Sequence, residues 1–135
     1  MTSLDQFEVQ QLLARYAFAM DKFDPDDVAS LFTSDGAFMS PHDGTARGHA
    51  AIKELIARKR ERSRSNPTGV RRRFVTNHVI SIKGDRGTFH AGILETLFHD
   101  DKVEVVLTGH YQGVVVKEAD GQWRFAEREA ITDTP

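Results

Sequence analysis

The fold is decided by residues 70–132, which read VRRRFVTNHVISIKGDRGTFHAGILETLFHDDKVEVVLTGHYQGVVVKEADGQWRFAEREAIT. Short segments rich in turn-forming residues interrupt this stretch at residues 84–87, 99–102 and 119–122. Between them the apolar residues have strand-like spacing, which predicts long strands at residues 70–83, 88–98, 103–118 and 123–132. Turns this tight join antiparallel neighbours, so the segment predicts an antiparallel sheet.

The chain before residue 70 has the spacing of helices. Apolar residues from Val9 to Met20 recur every three or four positions, which predicts a first helix of about 18 residues that ends near Asp21. Asp24 and Pro25 are typical of a helix start, since an N-cap side chain precedes a proline at the first helical position. The remaining predicted elements are a turn at residues 33–36, a hairpin of strands at residues 37–40 and 45–47, and a third helix from residue 48. Helices followed by a sheet indicate an α+β fold, with three helices on one face of a curved sheet.

Length and composition fit one small globular domain. The chain has 135 residues, of which 39% are hydrophobic, and its net charge at pH 7 is −2. A chain of this size builds one core, so we expect a single domain over residues 1–135. No apolar run approaches the roughly 18 residues that a membrane span needs, and there is no signal-peptide pattern, so we expect a soluble, cytoplasmic protein. The absence of cysteine excludes disulfides, thiolate zinc sites and a cysteine nucleophile.

Positive charge is concentrated in the middle of the chain. Residues 58–73 contain eight Lys or Arg residues and one acid, Glu61. These bases are not interleaved with the aromatic side chains that stack on single-stranded nucleic acids, so we expect no nucleic-acid partner. A solvated helix end explains the run. The functional alternative is that Arg71 or Arg73 attracts an anionic group of a substrate to the mouth of a pocket.

Motifs for bound metals and cofactors are missing from the sequence. The six histidines include no His-x-His pair and no Glu-x-x-His spacing on a helix. The glycines form no phosphate-binding loop, and there is no Gly-x-Ser-x-Gly nucleophile motif. We therefore expect no metal and no cofactor.

Several local sequences together resemble the SnoaL-like branch of the nuclear-transport-factor-2-like superfamily. They are AMD (19–21), DP (24–25), LFTSDGAF (31–38), GHAAI (48–52), TNH (76–78), GHY (109–111) and DGQWRFAER (120–128). The resemblance implies a cone, in which a strongly bent sheet wraps around the first helix and leaves a mostly apolar pocket. The superfamily that this chain resembles includes polyketide cyclases, scytalone dehydratase, a hexachlorocyclohexane dehydrochlorinase and non-catalytic binding proteins. The fold therefore does not fix the function.

The candidate catalytic residues are Asp21 and His78. In the dehydratase and dehydrochlorinase families, a pocket aspartate at the position of Asp21 pairs with a histidine from the first long strand, and His78 looks like that histidine. Strand alternation places His78 with Phe74 and Ile80 on the face that we expect to be concave. A carboxylate that accepts from one imidazole nitrogen leaves the other free to take a proton. An exposed acid at the helix end and a histidine packed in the core are the alternatives.

Further residues are expected to bind a substrate. Tyr16 lies on the apolar stripe of the first helix, and Phe32 points inward from the second. Phe74 shares the predicted face of His78. His110 lies on a strand face with Thr108, where it is either a second polar group in the pocket or a surface residue. Core packing is the alternative for Tyr16.

These features predict a small, cofactor-independent lyase, isomerase or cyclase that acts on an apolar or aromatic small molecule through an Asp–His acid–base pair. The alternative is a non-catalytic ligand-binding domain, or a partner subunit that resembles the small subunit of ring-hydroxylating dioxygenases. An enzyme should enclose a largely apolar pocket of roughly 300–1,000 Å³. A partner subunit should instead lack a cavity and expose a large apolar patch.

The sequence also predicts a homodimer. The long strands carry apolar residues on both faces, such as Val79 and Ile80, and one chain of this length has no spare helix to cover the convex side. Sedimentation at micromolar concentration should therefore show a particle of twice the 15.2 kDa chain mass. A monomer as the sole species would contradict this prediction.

Overall fold

The computed structural model describes residues 3–65 and 69–133. The helices are α1 (Ser3–Lys22), α2 (Pro25–Ser30) and α3 (His49–Ser65). The strands are β1 (Phe32–Ser40), β2 (Gly44–Arg47), β3 (Val70–Lys83), β4 (Arg86–His99), β5 (Lys102–Lys117) and β6 (Trp123–Thr132). The predicted α+β class is confirmed, and the long strands lie where the turn sequences place them. Within the described ranges, no helix combines the length and the apolar character that crossing a membrane requires.

The strands form one sheet in the order β2-β1-β6-β5-β4-β3. The strands from β3 to β6 pair antiparallel with their neighbours in sequence, as predicted. β1 pairs antiparallel with β2 but parallel with β6, so the sheet is mixed rather than purely antiparallel. The turn predicted at residues 33–36 is wrong, because this segment forms an irregular part of β1. Just before this segment, the Phe125 amide of β6 donates to the Leu31 carbonyl at 2.8 Å.

The start of α2 follows the local sequence. The Asp24 side chain accepts a hydrogen bond from the Asp27 backbone N–H at 3.0 Å, and Pro25 occupies the first helical turn. This arrangement satisfies one of the free N–H groups of the helix start. The short helix then ends at Ser30, so Phe32 belongs to β1 and not to the second helix.

The core lies between α1 and the concave face of the sheet. The α1 stripe predicted from the sequence is buried, and α3 covers the β1–β2 end with its own apolar side. The fully buried residues of this core include Val9, Leu12, Leu13, Val28, Phe32, Ile52, Ile56, Val115 and Phe125. Burial of each such side chain stabilises the fold by about 1.5–3 kcal/mol relative to an exposed side chain.

An extra residue in β3 reverses which of its side chains face the interior. Thr76 pairs with Gly92 and Val79 with His90, so three steps along β3 match two steps along β4. Asn77 has a left-handed backbone at this bulge, with a φ of 57°. A bulge of this kind breaks the period-two alternation of a strand.

The predicted concave placement of Phe74 and His78 is therefore wrong. Phe74 is 46% exposed, and His78 is also exposed. Arg73, which alternation alone puts on the outer face, points inward instead, and only 12% of its side chain is exposed. Beyond the bulge the original alternation holds, since Ile82 is buried in the core.

The outer face of the sheet is partly apolar. Val79 is 67% exposed and Val103 is 70% exposed. Val70, Phe98 and Val103 form a row of paired residues across β3, β4 and β5. This surface fits the argument that led to the predicted homodimer, which stays a prediction.

Substitutions at residue 77 test the bulge. Asn tolerates a left-handed backbone better than other side chains except Gly, whereas a β-branched residue does not. We expect Asn77→Val to lower the free energy of unfolding by about 1–2 kcal/mol and Asn77→Gly to leave it nearly unchanged. Urea unfolding measures both. Thr76→Val is the matched control, and equal stability of the two Val variants would contradict the assigned backbone.

Candidate functional site

A central cavity lies between α1 and the concave face of the sheet. Its volume is about 100 Å³. Apolar walls come from side chains of α1, β1, β4 and β5, among them Tyr16, Phe38, Ile93 and Tyr111. The cavity is smaller than the predicted range, so the predicted pocket size is not confirmed. Its wall also adjoins two outer grooves, of about 620 and 500 Å³.

Four charged side chains also line the cavity. They are Lys59, Arg73, Glu95 and Arg128. Each is held by a different element, α3, β3, β4 and β6 respectively. The cavity therefore combines aromatic surface with fixed charges rather than being purely apolar.

Arg73 is the residue that meets Asp21. Its backbone N–H donates to Asp21 Oδ1 at 2.7 Å, and its Nη1 lies 3.8 Å from the same oxygen. Nη1 also donates to the Met20 carbonyl at 3.0 Å, at the C-terminal end of α1. The guanidinium lies 5.2 Å from the centre of the Phe23 ring. Since this end of the helix is negative, Arg73 supplies the positive charge that a carboxylate there requires.

Burial raises the pKa of Asp21 above its ordinary value of 3.8. The hydrogen bond and the charge of Arg73 oppose this shift. The carboxylate is thus partly desolvated and held by an arginine. An arginine stays protonated in proteins, so this pair has no group that takes up a proton in the way the predicted imidazole would.

His78 lies on an outer groove between α1 and β3. Asp21, Phe74 and Thr76 border the same groove, whose volume is about 510 Å³. Within the described residues, no hydrogen bond or ion pair joins Asp21 to His78. The structure therefore brings the two predicted catalytic residues to one surface groove, but not to the central cavity as a bonded pair. Their catalytic role stays a prediction.

Glu95 places a carboxylate in the wall of the central cavity. Its side chain is 9% exposed. Oε1 accepts a hydrogen bond from Arg71 Nη1 at 3.2 Å and lies 3.7 Å from Arg73 Nη2. Among the described residues, Oε2 has no such contact. Strand alternation predicts this position, because Phe89, Ala91, Ile93 and Leu97 of the same face are all buried.

Arg128 is buried among aromatic rings. It is 2% exposed, and its guanidinium carbon lies 4.0 Å from the ring centre of Phe38, 4.8 Å from that of Tyr111 and 5.0 Å from that of Tyr16. Nη2 donates to the Met39 carbonyl at 3.3 Å. A bulge in β6 turns Arg128 inward, since Val114 pairs with Glu127 and Val115 with Phe125. Simple alternation from Phe125 predicts the opposite face, which is why sequence reasoning missed this residue.

Tyr16 lines the cavity, and its role in substrate binding stays a prediction. Its ring packs edge-on against those of Tyr111 and Phe125, with centroids 5.5 and 5.6 Å away. Burial raises the pKa of the hydroxyl above its ordinary value of 10.0, although the charge of Arg128 opposes the rise. Its hydroxyl therefore stays protonated at neutral pH.

The other predicted substrate-binding residues lie outside the cavity. Phe32 is fully buried and packs against Phe38 and Phe125, with ring centroids 5.9 and 5.2 Å away. Phe74 borders the outer groove with His78. His110 lies on the strand face opposite to that of the buried Tyr111. Its ring lies against that of His90, with the ring centroids 4.8 Å apart. Their role in substrate binding stays a prediction.

An ion-pair cluster fastens the β1–β2 turn to α3 beside the cavity. Lys59 Nζ donates to Asp43 Oδ2 at 2.7 Å, and Arg62 Nη2 donates to Oδ1 at 3.2 Å. Burial favours a higher pKa for Asp43, but the hydrogen bonds and charges of Lys59 and Arg62 outweigh it and hold the pKa below 3.8. Burial lowers the pKa of Lys59, with Asp43 opposing. In the described part of the chain, no three His, Asp or Glu side chains cluster closely enough to hold a metal ion.

Comparison with known proteins gives a family and a set of similar structures. Residues 1–129 match the profile of the SnoaL-like domain. The structure of Rv3472 from Mycobacterium tuberculosis, a protein of unknown function, is 30% identical, with a TM-score of 0.81 over 96% of this chain and 72% of that one. A Catenulispora acidiphila protein solved in complex with S-DNPA is 28% identical, with a TM-score of 0.84 over 98% of this chain and 96% of the other. ActVI-ORFA from Streptomyces coelicolor shares the fold at 22% identity and a TM-score of 0.84, covering 99% of this chain and 98% of its own. No curated protein matches the sequence.

The Asp43 cluster has a pH-dependent effect on stability. A carboxylate with a lowered pKa in the folded state stabilises the fold above its unfolded pKa, and this contribution is lost as the pH falls through the folded pKa. We expect Asp43→Asn to lower the free energy of unfolding by about 1–2 kcal/mol at pH 7, and the difference from the unaltered protein to shrink below about pH 4. Urea unfolding at pH 7 and pH 3 measures this.

The control is Glu54→Gln, which removes the exposed pair with Arg58. Exposed pairs of this kind contribute about 0.3–0.5 kcal/mol. If both variants lose the same stability at pH 7, the Asp43 cluster is not the anchor described above.

Proposed function

Because the chain belongs to the SnoaL-like domain family, and because its central cavity combines aromatic walls with a buried carboxylate, we propose that it is a small enzyme of lyase or cyclase type. Its proposed reaction begins with removal of a proton next to the carbonyl group of a small aromatic molecule. The proposal includes no cofactor and places the reaction in the central cavity.

The observation that carries the proposal is the position of Glu95. A general base needs a free lone pair that faces the bound substrate and a side chain whose orientation is fixed. Arg71 and Arg73 fix Glu95 through Oε1, which leaves Oε2 as the proton acceptor. The side chain is largely shielded from water, so proton transfer does not compete with a full hydration shell.

The similar proteins support a small-molecule ligand. The Catenulispora acidiphila protein, 28% identical, holds the small molecule S-DNPA. A putative scytalone dehydratase from Novosphingobium aromaticivorans has the same fold at 20% identity. These relatives agree with a lyase or cyclase in which the fold supplies the pocket and the side chains decide the chemistry.

The proposal differs from the acid–base pair predicted from the sequence. Asp21 accepts a hydrogen bond from the backbone of Arg73, and His78 is exposed outside the cavity. A reaction by that pair would take place in the outer groove, where water has access. Variants of Glu95 and His78 therefore distinguish the two sites.

A non-catalytic ligand-binding domain is the second candidate. One observation favours it: the basic partner of Asp21 is an arginine, which does not exchange protons near neutral pH. Such a domain would bind small aromatic molecules in the same cavity without changing them.

Exchange of hydrogen for deuterium in acetophenone tests the proposal without knowledge of the natural substrate. The Glu95 carboxylate would remove a proton from the methyl carbon and return a deuteron from D₂O to the same carbon. NMR spectroscopy follows the loss of the methyl signal. We expect the chain to accelerate exchange, and Glu95→Gln to slow it by a factor on the order of 10² to 10⁴.

Two controls accompany this experiment. Glu129→Gln removes a carboxylate that is hydrogen-bonded to Gln112 outside the cavity, and it should leave exchange unchanged. His78→Asn should do the same. Full exchange by Glu95→Gln together with its loss in His78→Asn would move the site to the Asp21–His78 groove. Binding of acetophenone without exchange would favour the ligand-binding domain.

A matched pair of Ala→Leu variants locates the ligand independently. Ala130 lines the central cavity, and Ala14 lines the outer groove. We expect Ala130→Leu to reduce acetophenone binding, measured by NMR titration, at least tenfold, because the added methyl groups occupy the cavity. Ala14→Leu should leave it unchanged, and the opposite pattern would contradict a central site.

A further inference from the structure

Arg128 is a buried cation without a counter-ion among the described residues. Over residues 3–65 and 69–133, no carboxylate lies within ion-pair distance of its guanidinium, and its one hydrogen bond goes from Nη2 to the Met39 carbonyl. Nε is completely buried and has no hydrogen-bond partner. The Tyr16 hydroxyl beside it is also buried and makes no hydrogen bond of standard geometry, although the Tyr111 side chain lies close enough to raise its pKa. Two buried donors, of which Arg128 Nε has no acceptor, therefore share one wall of the central cavity.

The other charges of the cavity are already paired. Lys59 is bonded to Asp43 at 2.7 Å. Arg73 lies between Asp21 and Glu95, at 3.8 and 3.7 Å. Glu95 is further engaged by Arg71. The uncompensated charge of the cavity wall is thus positive and resides on Arg128.

The aromatic rings around Arg128 offset only part of the cost of burying it. A cation over a ring face gains about 0.5–2 kcal/mol, whereas the effective penalty for burying an unpaired ion is several kcal/mol. The rings also hold the guanidinium in a fixed plane, which suits the two-point recognition of a carboxylate. An anionic ligand would complete the charge balance that the chain itself leaves open.

We propose that Arg128 binds the carboxylate of a small aromatic ligand in the central cavity, with the Tyr16 hydroxyl as a second hydrogen-bond donor. Tyr16 keeps its proton at neutral pH, so it donates rather than repels. The ring of the ligand packs against the aromatic and aliphatic wall formed by Phe38, Ile93 and Tyr111. The inference rests on the proposed function only in that both use the central cavity. It specifies the charge of the ligand and makes no statement about the reaction.

Benzoate and benzamide are the probes, because they have the same size and shape and differ in charge. Isothermal titration calorimetry on the full chain at pH 7 should show benzoate binding at least tenfold more tightly than benzamide. In ¹⁵N NMR spectra, the Nε–H signal of Arg128 should shift on titration with benzoate and not with benzamide.

Two variants assign the preference to the proposed donors. Arg128→Met keeps most of the side-chain volume and removes the charge, so benzoate should bind at least tenfold more weakly while benzamide binding is unchanged. Tyr16→Phe removes only the hydroxyl, and benzoate should bind several-fold more weakly. The matched control is Arg124→Met on the same strand, since Arg124 is paired with Asp120 and Glu118 away from the cavity. It should leave both affinities unchanged.

Stability gives a readout that a purely structural role of Arg128 would not produce. If the site exists to bind an anion, Arg128→Met removes an unpaired buried charge, and the melting temperature in the absence of ligand should rise. If Arg128→Met does not fold, the two probes on the unaltered chain and on Tyr16→Phe still decide the question.

Equal binding of benzoate and benzamide to the unaltered chain, or no benzoate binding, would overturn the inference. So would a benzoate preference that survives in Arg128→Met. Failure of acetophenone exchange while benzoate binds through Arg128 would contradict the proposed reaction alone. Exchange without a benzoate preference would contradict the carboxylate site alone.

Discussion

The contact on which the site depends is the one between Arg73 and the end of α1. Arg73 donates from its backbone to Asp21 and from its side chain to the Met20 carbonyl, so a single residue fixes the helix to the first long strand. The negative end of a helix disfavours a carboxylate, and a buried carboxylate needs a partner. Arg73 meets both requirements, and the same guanidinium then reaches Glu95 in the cavity wall.

This contact and the buried position of Arg128 exist because two strands are irregular. The bulge at Asn77 turns Arg73 toward the interior and His78 away from it. The bulge in β6 does the same for Arg128. Bulges increase the local twist of a sheet and bend its strands, which curves the sheet around the cavity. The same bulges reverse the facing of side chains and so place the charges in the cavity.

The cavity is charged at a cost to stability. Replacing arginines inside a small core with apolar residues of similar volume often raises the free energy of unfolding, yet this chain keeps the arginines. Lys59, Arg73 and Glu95 share their charges with partners on other elements, so their desolvation is offset within the chain. Arg128 is surrounded by aromatic rings and not by a carboxylate. Its charge is therefore the one in the cavity that is available to a ligand.

The sequence by itself determined the order of the elements, the start of α2 and the buried stripe of α1, because turn residues, caps and helical spacing act over a few residues. Helical spacing put Tyr16 on the apolar stripe of α1, which borders the cavity, whereas sequence reasoning missed Glu95, although alternation along β4 could have marked its face. The facing of Arg73, His78 and Arg128 was decided by the tertiary structure alone. Arg73 and His78 lie on either side of the bulge at Asn77, and Arg128 follows the bulge in β6. A bulge reverses the facing of the side chains on one side of it relative to the other, without leaving a clear signal in the period-two pattern. The pairing of β1 with β6, which lie far apart in sequence, was likewise decided only by the tertiary structure.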